Sequence, residues 1–232
     1  MEHEKLIVAL REACAPMAIF VTGAGVPAPW GVAVGLADAS INRPLTVDTP
    51  LRIASNTKMF VAATILRLWE QGKIDLDSSI APVMTPALNA LLESAGYRTE
   101  LITVRQLMNH SAGIYDHGDD PRFIQAVLAD PSHNWTREEQ VRLSIQYSGP
   151  QSEPGSKFQY SDTGYILLGD IVERVTGRTL AAAVRRELRF DELGLESTWW
   201  ELFERPPSHI KSRARQFFDG KRSTIDVYPT AL

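Results

Sequence analysis

The chain has 232 residues, room for one large domain or one and a half smaller ones, with 44% hydrophobic and 22% charged residues as in an ordinary soluble protein. Its net charge of -4 gives no electrostatic reason to expect nucleic acid or an anionic membrane as partner. With a single cysteine, Cys14, an intrachain disulfide is excluded.

The first element is a short helix over Glu4 to Cys14, with Leu6, Ile7, Leu10 and Ala13 on one side. Its apolar stretch is too short, and its flank too acidic, for a signal peptide, and no segment reaches the length of a membrane span. The expectation is therefore a cytoplasmic protein. Strand-like runs follow at Met17 to Thr22 and Gly31 to Ala37, with Gly23 to Gly25 and Pro27 to Pro29 supplying the turn.

Ser55-Asn56-Thr57-Lys58 comes next, directly before Met59 to Trp69, which is apolar almost all the way round. Such a helix is expected to be buried. Residues three apart on a helix share a face, so Ser55 and Lys58 stack one turn apart. Partial desolvation disfavours the ammonium form of a lysine, and a serine beside such an amine can lose its proton as it attacks a carbonyl. Gly72 is the expected helix stop, Lys73 to Asp77 a connector, and Pro82 and Pro86 are breakers. Thr103 is expected to cap a helix over Val104 to Asn109, and Thr136 with Glu139 has the form of a capping box. Pro154-Gly155 then turns the chain into a short extended piece ending on Tyr160. A helix follows, marked by Tyr165, Leu168, Ile171, Val172 and Val175, and stopped by Gly177. A cation beside a phenol favours its ionised form, which makes a tyrosine in this place a candidate general base. Read alone, however, Tyr160 also fits a half-buried aromatic, and Asp162 an N-cap. Strands first and helices in the middle indicate an α+β fold: an antiparallel sheet flanked by helices, with a helical region at about 80–190.

Taken together, these segments resemble the serine β-lactamase and penicillin-binding-protein superfamily, in its branch of class C β-lactamases, D-Ala-D-Ala carboxypeptidases and esterases. Arg52 to Lys58 is similar to that family's serine-x-x-lysine motif, and Tyr160-Ser161-Asp162 to its tyrosine-x-asparagine motif. Gly72 to Asp77, Leu107 to Ile114, Gly164 to Gly169 and Leu193 to Leu195 resemble further family segments in the same order. The resemblance implies one β-lactamase-like domain over 1–232, with Ser55 as nucleophile and Lys58 and Tyr160 sharing the proton transfers. Asp162 would contact substrate or Lys58, and the Ser55 N–H would form half of an oxyanion hole. It implies no cofactor and no metal. The partners it implies are a small ester, amide or peptide substrate, and a second copy or a complementing C-terminal fragment.

Two departures qualify these implications. Position 162 is aspartate where the family has asparagine. A carboxylate there would keep Lys58 protonated, against the depression argued above, and would shift the base role toward Tyr160 and the substrate away from β-lactams. The third family motif, lysine-threonine-glycine or histidine-x-glycine, has no match after Tyr160, so the C-terminal strands are expected to be missing. His117, in the loop with Asp116, is a candidate substrate contact, the plain alternative being a solvated loop histidine. The five histidines lack metal-ligand spacing such as H-E-x-x-H, and Asn109-His110-Ser111-Ala112-Gly113 lacks the first glycine of a Gly-x-Ser-x-Gly elbow. A non-catalytic binding or scaffold relative is the alternative from a different functional class.

Overall fold

The computed structural model describes residues 2–12 and 16–216. Their contacts divide them into two compact units, one formed by the residues up to Ile53 and from Pro206, the other by Ala54–Arg205.

The first unit begins with helix α1, Glu2–Glu12; Ala13 and Cys14, which the sequence adds to this helix, lie outside the described residues. Strands β1 (Met17–Val21) and β2 (Trp30–Val34) pair antiparallel, with Met17 opposite Val34 and Val21 opposite Trp30. The run expected as one strand over Gly31 to Ala37 is two. It breaks at Gly35, which adopts φ +85°, and any Cβ there would lie 2.8 Å from the Cα of Pro16. The chain resumes as β3 (Leu36–Asp38), turns through a short 3-10 segment capped by Asp38, and returns as β4 (Arg43–Pro44). Ala37, Leu45 and Ala214 are buried at the centre of this unit, with Ala18 and Ala33 against them.

The second unit is helical: α2 (Thr57–Glu70), α3 (Pro86–Ser94), α4 (Val104–Met108), α5 (Pro121–Ala129), α6 (Arg137–Tyr147), α7 (Asp162–Thr176) and α8 (Leu180–Glu187). Most boundaries follow from local chemistry. Thr103 and Thr136 both form complete capping boxes, with Gln106 and Glu139 respectively. Gly72, in the left-handed region, ends α2: its N–H donates to the Trp69 carbonyl and that of Lys73 to the Leu68 carbonyl, the paired bonds of a Schellman stop. Gly177 ends α7 in the same conformation. Pro86 does not break structure, as expected, but opens α3. At the first helical position the N–H that proline lacks would have no partner within the helix. Pro121 starts α5 in the same way, behind the Asp120 cap.

Helix α7 is the axis of this unit. Every residue from Thr163 to Val172 is buried, and the helix packs against α2, α4, α6 and α8. Leu167, Leu168, Ile171 and Val172 are fully enclosed, each stabilising the fold by about 1.5–3 kcal/mol through burial. Helix α2 departs from expectation. Lys58, Val61, Ile65 and Leu68 form a single buried face, whereas Met59 and Trp69 are 64% and 48% exposed. Its apolar character is thus two-sided but its packing is not. No helix among the described residues is long and apolar enough to cross a membrane.

Candidate active site

Ser55, Lys58, Tyr160 and Asp162 meet inside the second unit, although the two pairs are about a hundred positions apart in the chain. The approach to Ser55 is strained. Ala54 takes φ +45°, a left-handed conformation unusual for a residue with a side chain, and a 3-10 turn over Ala54–Asn56 leads into α2. In so tight a turn, side chains three apart nearly eclipse. Ser55 therefore lies exposed directly over Lys58, which is 7% exposed, and Lys58 Nζ donates to Ser55 Oγ at 3.1 Å. From the other side, Ser55 Oγ and the Tyr160 hydroxyl share a hydrogen bond of 2.7 Å, in which either oxygen can donate. The serine oxygen is thus held between an ammonium and a phenol.

Asp162 completes the group, and the reason lies in how α7 starts. The N-cap is Ser161, whose Oγ accepts from the Gly164 N–H at 3.2 Å; Asp162 is the first helical residue. Its carboxylate is free of capping duty and accepts a short hydrogen bond from Lys58 Nζ. Burial lowers the Lys58 pKa, but the Asp162 carboxylate and Tyr160 outweigh it, so Lys58 is held above its ordinary value. The depression argued from burial alone is overturned, and the countervailing effect of the aspartate prevails. The cation also lies 4.9 Å from the Tyr160 ring centre and 5.6 Å from that of Tyr165, positions that an aromatic face favours.

Behind Asp162 runs the loop Asp116–Gly118. Asp116 Oδ1 accepts from the N–H groups of Asp162, at 2.9 Å, and Gly118, at 3.1 Å. Burial, and after it repulsion from Asp162, push the Asp116 carboxyl up to about 6 despite these bonds. Gly118 is pressed so close to Asp162 that a Cβ there would collide with its Oδ2. His117 is neither a surface contact nor a solvated loop residue. It is 1% exposed, with Nδ1 bonded to Thr163 Oγ1 at 2.8 Å and Nε2 to Gln140 Oε1 at 3.3 Å, and burial lowers its pKa against the opposing effect of the Gln140 bond. It ties the loop to α6 and α7 and is not brought together with Ser55.

His110 is the residue that sequence reasoning passed over, having weighed it only as a metal ligand and as part of a turn. Its ring lies 4.5 Å from that of Tyr160, and its Nδ1 accepts from the Ser161 N–H at 3.1 Å. The available signal was its place just after the end of α4, where a left-handed residue is expected. Among the described residues no cluster of three or more His, Cys, Asp or Glu could hold a metal ion.

Comparison with known proteins identifies the family of the chain. The Beta-lactamase family model matches residues 4–227, and the chain belongs to that family. Esterase EstB of Burkholderia gladioli is 34% identical over 66% of this chain and 39% of its own length. A putative D-alanyl-D-alanine carboxypeptidase of Escherichia coli K12 is 30% identical over 66% of this chain and 34% of its own. Among solved structures, the D-amino acid amidase of Ochrobactrum anthropi SV3, complexed with D-phenylalanine, superposes with a TM-score of 0.74 at 28% identity. That match covers 92% of this chain and 56% of the amidase. The fold is thus the β-lactamase/transpeptidase-like α+β fold, rich in helix and poor in strand, and the chain spans less than two thirds of the length of these relatives.

Proposed function

We propose that this member of the beta-lactamase family supplies the reacting residues of a serine hydrolase, acting on an ester or a small amide, D-amino-acid amides and peptides included, through an acyl-enzyme on Ser55. The observation that carries this reading is the placement of Ser55 Oγ at 2.7 Å from the Tyr160 oxygen and 3.1 Å from Lys58 Nζ. Ser55 Oγ attacks the substrate carbonyl carbon and its proton passes to the phenolate form of Tyr160, with the Lys58 ammonium as counter-ion. The tetrahedral adduct collapses as Tyr160 delivers that proton to the leaving oxygen or nitrogen, which departs as an alcohol or amine. Water then gives a proton to the same tyrosine as it attacks the acyl-serine ester, and the tyrosine returns that proton to Ser55 Oγ as the carboxylic acid departs. The Ser55 N–H serves the developing oxyanion.

The Lys58–Asp162 pair favours this division of labour over a neutral-lysine mechanism, because a lysine held as a cation cannot accept the serine proton. The esterase and amidase relatives support the substrate range.

The test is intact-mass analysis after incubation with a p-nitrophenyl ester or a fluorescent penicillin. The expected result is one acyl adduct per chain, lost in Ser55→Ala. A chain that forms no adduct with any of these probes refutes the acyl-enzyme reading.

A further inference from the structure

His110 grips the chain on both sides of Tyr160. Its carbonyl oxygen accepts from the Gln159 N–H at 2.7 Å, and its Nδ1 accepts from the Ser161 N–H at 3.1 Å. The imidazole lies tilted by 30° across the Tyr160 ring at 4.5 Å and by 37° across Tyr165 at 5.1 Å, with Phe158 edge-on at 5.8 Å. Tyr165 is itself anchored, its hydroxyl donating to the Met108 carbonyl at 2.9 Å. One residue thus holds the backbone at 159 and at 161 and the face of the Tyr160 side chain between them.

The backbone at His110 sharpens the point. Its φ of +59° lies in the left-handed region, where glycine is free of strain and a histidine costs about 1 kcal/mol or more. That conformation is the left-handed stop of α4, where the Ser111 N–H donates to the Gln106 carbonyl at 2.9 Å and the His110 N–H to that of Leu107 at 3.4 Å, so the helix end fixes the backbone from which the imidazole reaches Tyr160.

We propose that His110, as the neutral imidazole with its proton on Nε2, is a positioning residue that holds the Tyr160 hydroxyl within hydrogen-bond reach of Ser55. The proposal rests on the reading of Ser55 and Tyr160 as the reacting pair. It gives His110 a chemical requirement that simple packing would not. An N–H can donate to Nδ1 only while that nitrogen is unprotonated, and a proton there sets donor against donor and releases the grip. The charged and titratable groups facing the ring are Lys58 of α2, Tyr160, and Asp162 and Tyr165 of α7. Burial, then the Lys58 charge, lower the His110 pKa, with Asp162 opposing, so the grip persists through neutral pH and fails in acid.

Three variants separate the acceptor from the strain. His110→Asn keeps an acceptor near Nδ1, tolerates the left-handed backbone and does not titrate. His110→Gly relieves the backbone and deletes the acceptor. His110→Ala deletes the acceptor and keeps the strain. Single-turnover acylation by p-nitrophenyl acetate is followed after the wild-type adduct at Ser55 has been established. The glycine and alanine variants should lose about 10- to 100-fold in acylation rate, the scale of a misplaced reacting group, with little change in ester affinity. The asparagine variant should keep most of the rate, and the acid limb of its pH profile should move to lower pH than that of the wild type.

Wild-type acylation by a folded glycine variant, or an asparagine variant as slow as the glycine one, overturns the proposal. A wild-type chain without adduct defeats the serine reading and, with it, any role of His110 in that reaction. The grip itself is read separately by the 19F signal of 3-fluorotyrosine at position 160, assigned through Tyr160→Phe. That signal should move in both variants because the stacked imidazole is gone, but it should stay a single sharp line in His110→Asn and broaden or split in His110→Gly, and the reverse pattern overturns the grip.

Discussion

Replacing Asp162 by asparagine isolates the charge that governs Lys58. The amide keeps an oxygen to which Nζ can donate, so the loss is electrostatic. The side chains of the pair are 8% and 31% exposed, a setting between surface and interior. Two unit charges about 4 Å apart at an effective dielectric of about 20 interact by about 4 kcal/mol. The partial exposure of Asp162 and the neutral hydrogen bond retained by asparagine reduce the loss to roughly 2 kcal/mol. With about 1.4 kcal/mol per tenfold, the neutral fraction of Lys58 at a given pH rises roughly thirtyfold. The sign is fixed by the opposing forces: the carboxylate raises the Lys58 pKa and burial lowers it, so removing the carboxylate leaves burial in command. The assay is an NMR titration of 13Cε-labelled lysines, with Lys58 assigned by its loss in Lys58→Arg. The Lys58 resonance should titrate at lower pH in Asp162→Asn, and the alkaline limb of ester acylation should move with it. A Lys58 resonance that titrates at the same pH in both proteins would refute the argument. Faster acylation by the variant at neutral pH would transfer the base role from Tyr160 to Lys58.

Two further predictions concern the loop behind the pair. Gly118→Ala places a methyl group against Asp162 Oδ2; it should loosen the Lys58–Asp162 contact, cost about 1–3 kcal/mol of stability, and shift the Lys58 resonance in the direction of Asp162→Asn. An unmoved resonance would show that the loop yields instead. Asp116 has a folded-state pKa of about 6, above the ordinary carboxylate range, so its contribution to stability is complete at low pH and is lost as pH rises through about 6. Asp116→Asn should therefore gain on wild type in urea midpoint between about pH 4 and about pH 8, and a difference that does not change with pH contradicts the assigned shift.

The helices legible in the sequence are those whose ends are written locally. Thr103 and Thr136 announce α4 and α6 because a capping box needs only four consecutive residues. Helices α3 and α5 were hidden because proline reads as a breaker unless its place at the first helical position is already known. Helix α8, Leu180–Glu187, carried its signal in a Thr179 cap that was not weighed. Within the site, the identities of Ser55, Lys58 and Tyr160 were legible, but a bond between residues 105 positions apart has no local signature. The role of Asp162 turned on which of two good capping residues takes the cap, and neighbouring Ser161 and Asp162 are nearly equivalent in that respect. A cation buried nearby decides it. The carboxylate is worth more beside Lys58 than the hydroxyl would be, so the serine caps and the aspartate pairs. His117 misled because a polar loop residue is ordinarily exposed, whereas Thr163 and Gln140 here satisfy both of its nitrogens inside the unit.

The arrangement of charge around Ser55 is costly, and the cost supports the reacting role proposed for that serine. Lys58 is the second residue of α2, at the positive end of a helix dipole, where a cation is disfavoured; it is also buried. Asp162 is the first residue of α7, where the dipole favours an anion. The pair therefore offsets a penalty that a methionine at position 58 would never incur, since apolar replacements of buried ion pairs are commonly as stable or more so. Strain at Ala54, at the edge of the same cluster, adds to the penalty. Two local preferences are breached within one small group: a cation stands at the wrong helix end, and Ala54 takes a left-handed backbone. Each breach has the same geometric product. Ala54 turns Ser55 over Lys58, Lys58 reaches Ser55 Oγ, and His110 holds Tyr160 to the opposite side of that oxygen. Departures from local preference that converge on one serine oxygen are what the proposed acylation at Ser55 would require, and apolar packing would favour none of them.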